Sequence, residues 1–212
     1  MKILLYLTFV TFITSCSCQT NNNKYKKINE DYLTGKSRFE KKYISHFPDM
    51  IDDNFIDFNE SLSPEFDMVR LTLINKISSN DINLLSKKYK NSIGIYSSSD
   101  TCLLVVNRFA TRENYLNIEI SDSERKLINR ICYSNKYPIP NFWHNAFTDT
   151  KTDCRLPANF TIYVINSEAG VFLEKEKLSD GRFIPANWKH GYSYGIAISE
   201  KHEAVIYWVV MW

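Results

Sequence analysis

Gly191-Tyr192-Ser193-Tyr194-Gly195 spells G-x-S-x-G, the pattern that sets a serine nucleophile on a tight turn between a strand and a helix. That chemistry needs a helix directly behind the serine and an acid and a histidine later in the chain. Residues after Gly195 alternate like a strand, only 17 of them remain, and His202 falls in a turn, so glycines flanking the start of a strand are the better reading. Cys154 with His144 or His190 is a second arrangement, because a thiolate and its imidazole base meet in space and not in sequence. No local signature accompanies it. The four histidines show neither an HExxH pattern nor paired-cysteine spacing, so no zinc is expected. Asp49, Asp52, Asp53 and Asp57 raise the question of calcium, but no EF-hand loop with its turn glycine is present. No phosphate-binding glycine loop or dinucleotide fingerprint occurs. No catalytic residue is therefore assigned, and no metal or cofactor is expected. A hydrolase in which Ser193 or Cys154 finds His144, His190 or His202 stands as the alternative.

Two loops carry aromatic and polar side chains together: Phe142-Trp143-His144-Asn145, and Asn187-Trp188-Lys189-His190 followed by Tyr192 and Tyr194. Tryptophan and tyrosine in such loops anchor a protein partner or stack on a flat ligand. Trp143, His144, Trp188, His190, Tyr192 and Tyr194 are the candidate binding residues. The competing reading is that both tryptophans lock their loops onto a sheet edge.

The elements that must position these residues follow from spacing. Phe39, Tyr43 and Phe47 recur at helical intervals behind Ser37-x-x-Glu40 and stop at Pro48. Ile51, Phe55, Phe58 and Leu62 fit one helical face, yet Asn54 to Phe58 also reads as extended chain. Val69, Leu71 and Leu73 alternate as a strand, followed by a helix capped by Ser79 or Asn80 with Ile82, Leu85 and Tyr89 on one face. Ile93 to Tyr96 and Cys102 to Val106 are expected to form a hairpin around Ser97-Ser98-Ser99-Asp100. Ser121-x-x-Glu124 is a capping box, predicting a helix with Leu127, Ile128 and Ile131 on its apolar side. Pro138-Ile139-Pro140 forces extended chain. Phe160 to Ile165, Tyr192 to Ser199 and Ala204 to Trp212 read as strands, the last apolar on both faces and so central. Hairpins with segregated helices predict a single α+β domain around a mainly antiparallel sheet with two to four helices.

Met1-Lys2 begins an apolar run that reaches Ile13, far short of the roughly 20 residues that span a bilayer, and Ile13-Thr14-Ser15-Cys16 ends it. A positive start, a short apolar core and small residues read as an export signal over residues 1–15. Ile-Thr-Ser-Cys resembles the lipobox of bacterial lipoproteins, and the composition is similar to that of small lipoproteins of AT-rich Gram-negative bacteria. The resemblance implies cleavage before Cys16, lipid on its sulfur and amine, and attachment to the bilayer. With Ser17 following, it implies the outer membrane facing the periplasm. Residues 16–30, polar and aperiodic, read as a flexible tether, with the globular domain over 31–212.

Export makes disulfides persistent. With Cys16 committed to lipid, Cys18, Cys102, Cys132 and Cys154 remain, which allow three complete pairings. A bridge between Cys132 and Cys154 is expected, because one ends a helix and the other lies in an adjustable loop. The 26 basic and 24 acidic side chains nearly balance, which argues against nucleic acid as a partner. The expectation is a membrane-anchored, non-catalytic binding or interaction module of the cell envelope, with a protein or glycan partner. An envelope immunity or inhibitor protein is one version of it.

Overall fold

A computed structural model of the chain describes residues 16–61, 68–111, 113–143 and 146–212, with side chains from residue 25 onward. The expected signal peptide, His144, and the side chains of Cys16 and Cys18 lie outside the described residues. The fold is α+β. Six antiparallel strands form one sheet in the order β1 (Phe55–Ser61), β2 (Val69–Lys76), β8 (Ala204–Met211), β7 (Gly191–Ser199), β6 (Thr161–Ala169) and β3 (Gly94–Ser97). Helices α1 (Cys16–Ser37), α2 (Lys41–Ile44) and α3 (Ser79–Lys88) lie on one side. The other side is covered by a loop-rich layer holding α4 (Asp122–Arg125) and a two-residue parallel pair, β4 (Val105–Val106) and β5 (Ile139–Pro140).

Strand alternation assigns the two faces. Val69, Leu71 and Leu73 of β2, with Val209 and Met211 of β8 and Tyr192 of β7, pack under Tyr32, Phe39, Tyr43 and Phe47. Further along that face Ile82 and Tyr89 of α3 meet Tyr163, Ile196, Ile198 and Val205. The opposite parity of β8, Ile206, Trp208, Val210 and Trp212, packs against Leu103 to Val106, Ile139, Phe142 and Phe160. Trp208 and Trp212 are wholly buried. The terminal apolar run is therefore the shared wall of two cores, as its double-sided hydrophobicity requires.

Four expectations are corrected. The polar stretch over residues 16–30 is helical, as the first two-thirds of α1. α1 docks by a narrow stripe near its C-terminal end, where Tyr32, just beyond that stretch, is fully buried and donates to the Pro48 carbonyl at 2.6 Å and Asn29 Oδ1 accepts the Ile51 N–H at 2.9 Å. One anchoring side chain per turn over so short a stretch leaves no apolar period to read. Second, residues 93–106 do not form a hairpin: β3 pairs with β6, and β4 pairs with β5. Ser98 turns the chain inward, its N–H bonded to Phe160 O at 2.9 Å, and Leu103 to Val106 are buried on every side in the loop layer.

Third, the Ser121–Glu124 capping box is present, but α4 ends at Arg125. Leu127 and Ile128 continue it with hydrogen bonds three residues back, to Glu124 and Arg125, and Ile131 is 95 % exposed instead of packed. The reason is the fourth correction: Cys132 pairs with Cys102, not with Cys154. Cys102 lies at the surface end of the loop that leads to Leu103, whereas Cys154 is wholly buried and free. Tyr133 enters the core next to Cys132, so the chain turns there and cannot continue as an α-helix.

Candidate functional site

Ser193 lies inside β7, wholly buried, and its Oγ donates to the Pro138 carbonyl at 2.6 Å. The two glycines around it answer to packing. A Cβ on Gly195 would overlap the Tyr163 carbonyl oxygen and approach the Trp208 ring at 2.9 Å, and one on Gly191 would meet Glu168 O at 2.8 Å. G-x-S-x-G here is a place where two backbones and two indole rings approach closely. Cys154 is equally inaccessible: its Sγ lies 3.7 Å from Ser98 O, and burial pushes its thiol up to about 11, so it is protonated at neutral pH.

The three described histidines are engaged elsewhere. His190 Nδ1 is 2.9 Å from Ser179 O and its Nε2 faces Asp180 at 3.4 Å. His202 stacks on Phe160, with centroids 5.6 Å apart. His46 is buried beneath α2 with Nε2 3.1 Å from Trp208 O, and desolvation lowers its pKa to about 4. Among the described residues no cluster of three or more His, Cys, Asp or Glu side chains could hold a metal. Asp52 and Asp57 accept the nearby N–H groups of Asn54 and Phe58 at 2.9 Å.

The candidate binding residues are dispersed. Tyr192 and Tyr194 face the helical side, their rings 4.9 and 6.2 Å from that of Tyr43. Trp143 stacks on Tyr115 at 5.5 Å and lies 5.8 Å from the guanidinium of Arg70. Arg70 is buried, its Nε donates to Asn59 Oδ1 at 3.1 Å, and desolvation lowers its pKa to about 9. Trp188 sits on a 3-10 turn (Ala186–Trp188), its carbonyl accepting the Trp212 indole N–H at 2.7 Å.

Of the described candidates, Trp188 lines a groove of about 700 Å³ between the Pro185–Trp188 turn and residues 129–137. Tyr133, Tyr137 and Trp188 form its aromatic wall, Asn129, Asn135 and Asn187 supply amides, and no carboxylate lines it. Its far wall is held at several points. The Cys102–Cys132 disulfide ties it to the loop after β3. Beside that bridge Lys136 Nζ meets Asp100 Oδ2 at 2.9 Å, and Arg130 donates to Thr101 O. Burial opposes the charge on Asp100, but Lys136 and the Cys102 N–H outweigh it and hold the carboxyl below its usual range. From beneath, buried Arg108 donates to Tyr133 Oη at 2.8 Å, and Tyr133 donates on to Leu127 O at 2.9 Å. Ile131 stands on this frame facing solvent. Sequence reasoning missed it by placing it on a helix face. The readable signal was Arg125 to Lys136, four cations and no acid beside a cysteine.

No family model, curated protein or solved structure matches the chain. Among the described residues no helix is long and apolar enough to cross a membrane.

Proposed function

We propose that this chain is a lipid-anchored protein of the bacterial envelope that acts as a non-catalytic binding module. The observation that carries the binding half is the groove beside Trp188, whose far wall is fixed by a disulfide and an ion pair while its rim holds a branched apolar side chain in water. Preorganised surfaces of this kind lose little freedom on association. The burial of Ser193 and Cys154 weighs against the hydrolase alternative. The envelope address rests on the Ile13-Thr14-Ser15-Cys16 pattern and is supported by the disulfide, since such bridges persist outside the reducing cytoplasm. The chain would be held by acylated Cys16 in the outer membrane, facing the periplasm.

Two measurements test the reading. Mass spectrometry of the N-terminal peptide should find Cys16 acylated, and Cys16→Ser should release the protein from membranes; an unmodified Cys16 removes the anchor. Fluorophosphonate and iodoacetamide probes on the folded protein should leave Ser193 and Cys154 unlabelled. Stoichiometric labelling of either restores the hydrolase.

A further inference from the structure

We infer that Arg70 holds a single chloride-sized anion in a small cavity at the seam between the sheet and the loop layer, a site separate from the groove beside Trp188. Arg70 stands on β2, is 7 % exposed, and lines this cavity together with Thr72 of its own strand and Trp208 of β8. A buried charge is costly unless an opposite charge and hydrogen bonds meet it. Among the described residues Arg70 finds little of either. Its Nε donates to Asn59 Oδ1 at 3.1 Å and the Trp143 ring lies 5.8 Å from the guanidinium, but no described carboxylate pairs with it. Asn59 is neutral, and an aromatic face offsets only part of a cation's charge. The Nη donors are left without an acceptor among the described residues, and no nearby charge there opposes the desolvation that lowers the Arg70 pKa.

The cavity selects the occupant. Its remaining walls are Pro140, Asn141, Phe142 and Val209, none of them acidic, and its volume is about 20 Å³. One water needs roughly 10–15 Å³, so the space admits a single water or a single halide and excludes phosphate and sulfate. Two wall residues carry buried polar atoms without a partner, Trp208 Nε1 and Asn141 Oδ1. Asn141 cannot reverse its amide to offer a donor, because Nδ2 is committed to the Asn107, Arg108 and Ala110 carbonyls. A water would suit that acceptor and an anion would not. The charge decides between them: an unmet neutral acceptor costs less than a buried guanidinium with no counter-charge. Chloride is large and weakly hydrated for an anion, so it also tolerates contact with Pro140, Phe142 and Val209. Held there, the ion joins β2, which carries Arg70, to β5, which carries Pro140.

The test uses the full chain in neutral detergent. Thermal melts in sodium chloride and in sodium gluconate at equal ionic strength should separate, with chloride raising the melting temperature by about 2–4 °C at ten times its Kd. Arg70→Leu should abolish that difference. Crystals of the wild type soaked in bromide should show an anomalous peak within hydrogen-bonding distance of the Arg70 Nη atoms, a measurement that decides the matter even if Arg70→Leu fails to fold. Melts that ignore chloride overturn the inference, as does a chloride effect that survives in Arg70→Leu. Bromide peaks confined to surface residues mark an adventitious ion only and overturn it too. Acetate matching chloride in the melts would show that a carboxylate fits, against the single-atom occupant. If bromide reaches Arg70 in Glu65→Gln/Asp67→Asn but not in wild type, the counter-charge is the chain's own and the inference falls. None of these outcomes bears on the groove or on Cys16, so the proposed function is tested apart from this site.

Discussion

Ser193 Oγ and the carbonyl of Pro138 lie 2.6 Å apart at the seam between the sheet and the loop layer. The bond joins β7 to the rigid segment that opens β5, 55 residues earlier in the chain. Ser193→Ala should therefore cost stability, about 1–2 kcal/mol for a buried acceptor left unmet. Urea unfolding measures it. A variant as stable as wild type would mean that the hydroxyl is dispensable to the fold.

Gly195→Ala should cost more, on the order of 3 kcal/mol, because the added methyl falls on the Tyr163 carbonyl and the Trp208 ring and an overpacked sheet relaxes poorly. Gly195→Ala expressed at wild-type yield with an unchanged melting temperature would show that β6 and β7 can separate there at little expense.

The Cys102–Cys132 bridge closes a loop with a sequence separation of 30. Its removal by a Cys102→Ser/Cys132→Ser double variant should lower stability by roughly 3–4 kcal/mol on chain-entropy grounds. Non-reducing peptide maps should link those two cysteines and leave Cys154 alkylated only after unfolding. A map that joins Cys154 to either partner contradicts the arrangement.

His46 makes stability fall with acid. Its folded pKa of about 4 lies below the usual 6.5 because burial disfavours the cation, so the unfolded chain binds the proton first as pH drops. The contribution is complete above about pH 6.5 and is lost progressively down to about pH 4, on the order of 3 kcal/mol in all. Urea titrations of wild type and His46→Gln at neutral pH and near pH 4.5 should show a steeper loss in wild type. Parallel losses would assign the acid sensitivity to other groups.

Legibility followed regularity. Val69 to Leu73 alternates, Phe160 to Ile165 is β-branched and aromatic, and the two terminal runs are strongly apolar, and a strand covers most of each. The layer over residues 98–160 has no period to read. Its order comes from separate long-range bonds, such as Asn141 Nδ2 reaching the Asn107, Arg108 and Ala110 carbonyls at 3.0, 3.2 and 2.9 Å. Such contacts leave no mark on local spacing. The candidate groove was half legible: Trp188 stood out by type, but Ile131 read as a core residue because Leu127 and Ile128 before it suggest a helix. The pairing that exposes it could not be chosen among the cysteines from sequence.

The position of β8 governs when the fold can exist. Among the described strands it comes after all the others in sequence, yet it is the piece that joins β2 on one side to β7 on the other. Until residues 204–211 are present, β1-β2 and β7-β6-β3 are two fragments, each ending in an apolar edge with open hydrogen-bonding groups. Newly made chain must therefore be kept from pairing with its neighbours until those residues have been made. A ribosome stalled before Ala204 should yield a polypeptide that aggregates or is degraded, and never a smaller version of this protein.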